Sequence, residues 1–174
     1  MSNNFKKNIV NEALLDFQKG NKKKAFNLLK SYLNKNKNDF TAKYNYAVMC
    51  EELGFIDLAI KNYNEIISLK NDNWKSKFNL YLIYIKQKKF YEAIKLIEEV
   101  LKINKDYQPA LRDKALVKFY LKQPDEALPI ILKSINLNPK DYIAGNTLGM
   151  ILISLKQYEE SIKVLKKILL LNNK

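Results

Sequence analysis

Along the 174-residue chain, apolar residues recur three and four positions apart in short runs, and polar turns separate the runs. This is the period of an amphipathic helix. A second, longer period lies over the first. Ala13, Ala47, Tyr81, Ala115 and Gly149 stand 34 residues apart, and so do Ala25, Ala59, Ala93, Ala127 and Ser161. Between them recur the larger apolar groups Leu29, Tyr63, Ile97, Ile131 and Leu165, then Leu33, Ile67, Leu101, Ile135 and Leu169. Small residues returning at one spacing mark places where two helices pack closely. The pattern predicts one all-α solenoid over 1–174, built from five helix-turn-helix repeats at 6–39, 40–73, 74–107, 108–141 and 142–174.

Local signals agree with this division. Gly20 and Gly54 fall between the two helices of their repeats, where a turn calls for positive φ. Lys88, Lys122 and Lys156 take the same place in the other three repeats, which implies a tolerant turn. Asp39, Asp106 and Asp141 precede first helices, as N-terminal capping residues do. Pro109 and Pro124 suit first helical turns, whereas Pro129 falls inside a helix and removes a backbone donor.

The last repeat reads Leu148-Gly149, then Tyr158, Glu159, Glu160, Ser161, Ile162. It resembles the tetratricopeptide repeat, and the resemblance runs from Lys6 to the C-terminus. It implies a right-handed α-solenoid whose first helices line a concave groove and whose second helices form the convex side. Such a motif specifies a fold and leaves function open.

Composition narrows the function. The chain has no histidine, which removes the commonest general base and most nucleophile–base and zinc arrangements. Four glycines and no phosphate-loop string leave no phosphate cradle. Paired acids at Glu98-Glu99, Asp125-Glu126 and Glu159-Glu160 read as solvated charge on second helices; Glu51-Glu52 lies on a first helix. The expectation is a protein that is not an enzyme and needs no cofactor or metal. The net charge of +13 comes from lysine with a single arginine, Arg112. It admits an acidic partner, nucleic acid or a membrane surface. An AT-rich coding sequence is the favoured explanation of it, and scarce arginine argues against base readout. Cys50 is alone and reads as a core residue, consistent with a reducing compartment. The N-terminus MSNNFKKNIV is polar, and no stretch is long enough to span a bilayer, so the expected location is cytoplasmic.

On the groove assignment that the resemblance supplies, one position carries Asn11, Asn45 and Asn79, followed by Asp113 and Thr147. An asparagine offers one acceptor and two donors, enough to hold a peptide's C=O and N–H together. This arrangement resembles the asparagine ladder of O-linked N-acetylglucosamine transferase repeats, and Tyr44-Asn45-Tyr46-Ala47 matches that family's unit closely. Asp113 and Thr147 interrupt it, and the abundance of asparagine in this chain accounts for the coincidence as well as a ladder does. Val10, Tyr44, Phe78 and Arg112 stand one residue earlier, and Lys7 and Lys75 add cations near one end. The carboxylate clamp of chaperone-binding tetratricopeptide domains is absent, because Val10, Leu14, Tyr44 and Val48 replace its polar residues. The apolar lining is equally explained by packing between first helices.

Three functions from different classes remain. The leading one is a non-catalytic scaffold that binds an extended peptide or protein segment. The second, implied by the transferase resemblance, is the substrate-recognition part of a larger transferase. The third is a basic nucleic-acid-binding solenoid. The last helix ends Lys166, Lys167, Ile168, Leu169, Leu170, Leu171 and is expected to leave an apolar face for self-association.

Overall fold

The computed structural model describes residues 3–172, with side chains described from Ile9 to Leu170. Ten helices follow in order: α1 Asn3–Gln18, α2 Lys22–Lys35, α3 Phe40–Glu52, α4 Ile56–Leu69, α5 Trp74–Lys86, α6 Phe90–Ile103, α7 Gln108–Tyr120, α8 Pro124–Leu137, α9 Tyr142–Ser154 and α10 Tyr158–Asn172. Second helices begin at Lys22, Ile56, Phe90, Pro124 and Tyr158, so the sequence period becomes the period of the elements. No strand occurs among the described residues.

The small positions do what close packing demands. Ala13, Ala25, Ala47, Ala59, Ala93, Ala115 and Ala127 are all fully buried. A Cβ placed on Gly149 would meet Leu165 Cδ2 at 2.8 Å, which shows how little room the first helix leaves. Where Ser161 replaces alanine, its hydroxyl donates to the Gly149 carbonyl at 3.1 Å, so the buried oxygen is satisfied. Leu29, Tyr63, Ile97 and Ile131 are each 0% exposed on the second helices. Taking each such side chain out of water stabilises the fold by about 1.5–3 kcal/mol.

Two expectations are corrected by the backbone. The turn after each first helix is not a tolerant one. Gly20 and Gly54 have φ of 88° and 82°, and Lys88, Lys122 and Lys156 have 59°, 62° and 62°. Every repeat therefore ends its first helix through a left-handed residue. Nor is Asp106 a helix cap: α7 starts after Tyr107, whose side chain makes no capping bond, and Asp106 pairs instead with Lys133 at 2.9 Å. The capping place is the residue before each first helix. Asp39 accepts from Ala42 N–H, Asn73 from Ser76 N–H, and Asp141 from Ile143 and Ala144 N–H. Pro109 and Pro124 do lie in first turns, and Pro129 lies inside α8.

The helices gather into two compact bodies, Met1–Asn79 and Leu80–Lys174. In the first, Phe26 on α2 stacks on Tyr46 of α3 at 5.0 Å and meets Phe55 at 5.4 Å. In the second, Ala127 and Ile131 of α8 form a core with Ala144, Leu148, Ile151 and Leu152 of α9.

Candidate functional site

The asparagine position divides into free and committed members. In the first body Asn11 is exposed on α1 and Asn45 half-buried on α3. Neither side chain has a hydrogen-bond partner among the described residues. Asn79 differs. Its Nδ2 donates to Tyr44 Oη at 3.1 Å and to Tyr63 Oη at 3.0 Å. Burial pushes the Tyr63 hydroxyl above its ordinary range, while the bond from Asn79 pulls it down. The amide thus bridges α3, α4 and α5 and fixes the Tyr44 ring, 6.1 Å from that of Tyr63.

Around these rungs Tyr44 and Phe78 are half-buried, as are Leu14 and Val48. Val10 is 6% exposed and belongs to the core, so it does not line a surface. The Lys75 ammonium is exposed and sits 5.9 Å from the Trp74 ring. The side chain of Lys7 lies outside the described residues.

Arg112, in the second body, is committed to its own fold. Its Nε donates to Asp113 Oδ1 at 2.8 Å and its Nη1 to Asp141 Oδ2 at 3.2 Å. Gln108 Nε2 donates to the same Asp141 oxygen at 2.7 Å and to Ser134 Oγ at 2.9 Å. Burial works to raise the Asp141 carboxyl, but the bonds from Gln108 and the Ala144 N–H, with Arg112 nearby, hold it below the usual carboxylate range. Buried Asp113 goes the other way, pushed up by desolvation that Arg112 only partly offsets.

A feature that pattern-reading missed lies between α2, α3 and α4. A 430 Å³ cleft is lined by Lys30, Lys37, Lys43, Lys61, Asn34 and Asn62, among others. Lys43 is bound to Glu65 at 2.7 Å. Lys30, Lys37 and Lys61 make no ion pair with the described residues. Their clustering was hidden because they come from α2, the turn after it and α4, and a lysine-rich sequence gives them no contrast. Elsewhere carboxylates pair with lysines: Glu52 with Lys22 at 3.7 Å, Glu98 with Lys114 at 3.0 Å and Glu126 with Lys118 at 2.9 Å. Cys50 is fully buried, and burial raises its thiol to about 11, which makes it a poor nucleophile at neutral pH. Among the described residues no helix is long and apolar enough to cross a membrane.

The stacked helix pairs define a helical-repeat solenoid. Residues 76–107 and 146–174 match the tetratricopeptide repeat model. No curated protein sequence matches the chain. Among solved structures, MamA from Desulfovibrio magneticus RS-1 superposes with a TM-score of 0.88 at 17% identity, over 96% of this chain and 94% of that one. Another crystal structure of MamA gives 0.85 at 19% identity, over 92% and 94%. A tetratricopeptide repeat protein from Parabacteroides merdae ATCC 43184 gives 0.84 at 18% identity, over 93% of this chain and 64% of its own. At these identities the likeness is one of fold. Two stretches of the chain thus match tetratricopeptide repeats, and the chain shares its fold with these solenoids.

Proposed function

We propose that this protein is a scaffold without chemistry of its own, and that it holds an extended protein segment against the first helices α1 and α3. The observation that carries this is the pair of amides without a partner among the described residues, Asn11 and Asn45, at one repeat position beside half-buried Tyr44 and Phe78. An amide of this kind takes a peptide's carbonyl and N–H without reading its sequence. The aromatic surface takes the side chains between the bonds. Asn79 acts as a brace that sets Tyr44 rather than as a third rung. We read the segment as acidic, because the chain carries a net +13 and Lys30, Lys37 and Lys61, around a separate cleft on α2–α4, make no ion pair with the described residues.

The test is capture on a peptide array by the whole chain and by the double variant Asn11→Ala/Asn45→Ala. Each lost bond costs about 0.5–1.5 kcal/mol, so the double variant binds about tenfold more weakly. Its thermal midpoint stays put, because neither amide holds the fold. Capture at full strength by the folded variant removes this face from the account.

A further inference from the structure

Helix α10 carries four large apolar residues on one exposed stripe: Tyr158, Ile162, Leu165 and Leu169, which are 57%, 52%, 39% and 62% exposed. Their counterparts elsewhere are covered. Leu29, Tyr63, Ile97 and Ile131, equivalent to Leu165, are all fully buried, and Leu33, Ile67, Leu101 and Ile135, equivalent to Leu169, are at least half-buried. In the second body the cover of α8 is visible, since Ala144, Leu148 and Ile151 of α9 close over Ile131. Ile153 of α9 is likewise 50% exposed, whereas its counterpart Phe119 packs on the α8–α9 core. An apolar patch of this kind on a soluble surface is a contact site.

We propose that this stripe is the interface of a twofold homodimer in which two copies of α10 pack antiparallel. Three features of α10 select a second copy, and this orientation, as the occupant. First, the stripe is spaced four, three and four residues apart, a coiled-coil seam that reads the same from either end. Antiparallel packing sets Tyr158 against the partner's Leu169 and Ile162 against the partner's Leu165, so the four stripe residues are all matched. Second, Glu159 and Lys166 lie seven residues apart, hence on one flank of the stripe. Reversal of one helix brings Glu159 opposite the partner's Lys166, and symmetry repeats the pair. Third, the patch meets itself, so the assembly closes at two copies. The inference is independent of the peptide-binding reading, because α10 contains none of its residues.

Light scattering and sedimentation of the whole chain across concentration test it. The expected particle has twice the 20.4 kDa mass of the chain and dissociates on dilution. Ile162→Lys and Leu169→Lys give monomers with unchanged helical circular dichroism. Glu159→Lys alone and Lys166→Glu alone each weaken dimerisation about tenfold, and the combined swap returns it to within about threefold of the parent. A monomer at every concentration overturns the proposal. A dimer indifferent to Ile162→Lys, open-ended larger assemblies, or a swap that fails to restore pairing overturns it equally.

Discussion

Lys88, Lys122 and Lys156 show how a repeat imposes a backbone conformation on whatever residue it holds. At each the chain leaves the first helix with φ near 60°, and at Gly20 and Gly54 it does so with φ of 88° and 82°. The bonds that require it are the same five times over. Asn21, Phe55, Lys89, Gln123 and Gln157 N–H reach back to Asp16, Cys50, Tyr84, Lys118 and Leu152 carbonyls at 2.8–2.9 Å. This is the double-bonded helix end that ends in a left-handed residue. A side chain there costs roughly 1–2 kcal/mol, partly returned by the lower entropy of the unfolded chain. Each Lys→Gly change therefore raises stability by about 0.5–1 kcal/mol in urea unfolding, and Gly54→Ala lowers it by about 1 kcal/mol. The Gly54 Cβ would enter open space, so any loss is backbone strain and not a clash. Equal midpoints for Lys122→Gly and its parent would refute this. The repeat period showed where the turn lies but not its φ, because lysine in three repeats looked like tolerance. Asp106 misled in the same way: it is an acid one residue before the true capping place, which in that repeat holds Tyr107.

Between elements, the network of Arg112 with Asp113 and Asp141 ties α7 to the start of α9, and it titrates in two opposed directions. Asp113 is raised, so the folded state holds its proton at a pH where the unfolded chain has released it. Its contribution to stability is greatest below the ordinary carboxylate value and is lost as pH climbs through the raised one. Asp141 is lowered, so its contribution is present above the ordinary value and is lost as pH falls through the lowered one. Asp113→Asn keeps an oxygen to accept from Arg112 Nε and removes the buried charge. The variant should exceed its parent in urea midpoint at pH 7, and the gap should close as pH falls toward about 4. A gap constant with pH would deny that the Asp113 carboxylate is the cause. Helix existence and length were legible because apolar spacing is a local property. The partners of Arg112 and Asn79 were not. Asp141 lies 29 residues from Arg112, and Tyr44 lies 35 from Asn79. Only folding decides whether a polar side chain on a first helix meets a guest or its own neighbour.

At the scale of the molecule the open question is whether +13 is a function or a habit of composition. Lysines that pair with Asp and Glu along the helices offset one another and bind little. A diffuse excess attracts any polyanion weakly, and salt abolishes that attraction. The cleft on α2–α4 is different, because Lys30, Lys37 and Lys61 converge on one volume of 430 Å³ with asparagines between them. If binding follows total charge, changing three of the chain's lysines to glutamine alters affinity in proportion to the charge removed. If the cleft is the seat of binding, Lys30→Gln/Lys37→Gln/Lys61→Gln weakens capture of poly-glutamate about tenfold at 0.15 M salt and flattens its salt dependence. A control triple variant at Lys95, Lys102 and Lys140, outside the cleft, should leave capture nearly intact. Titration of both variants with the same polymer separates the cases, and equal losses in the two would return the charge to composition.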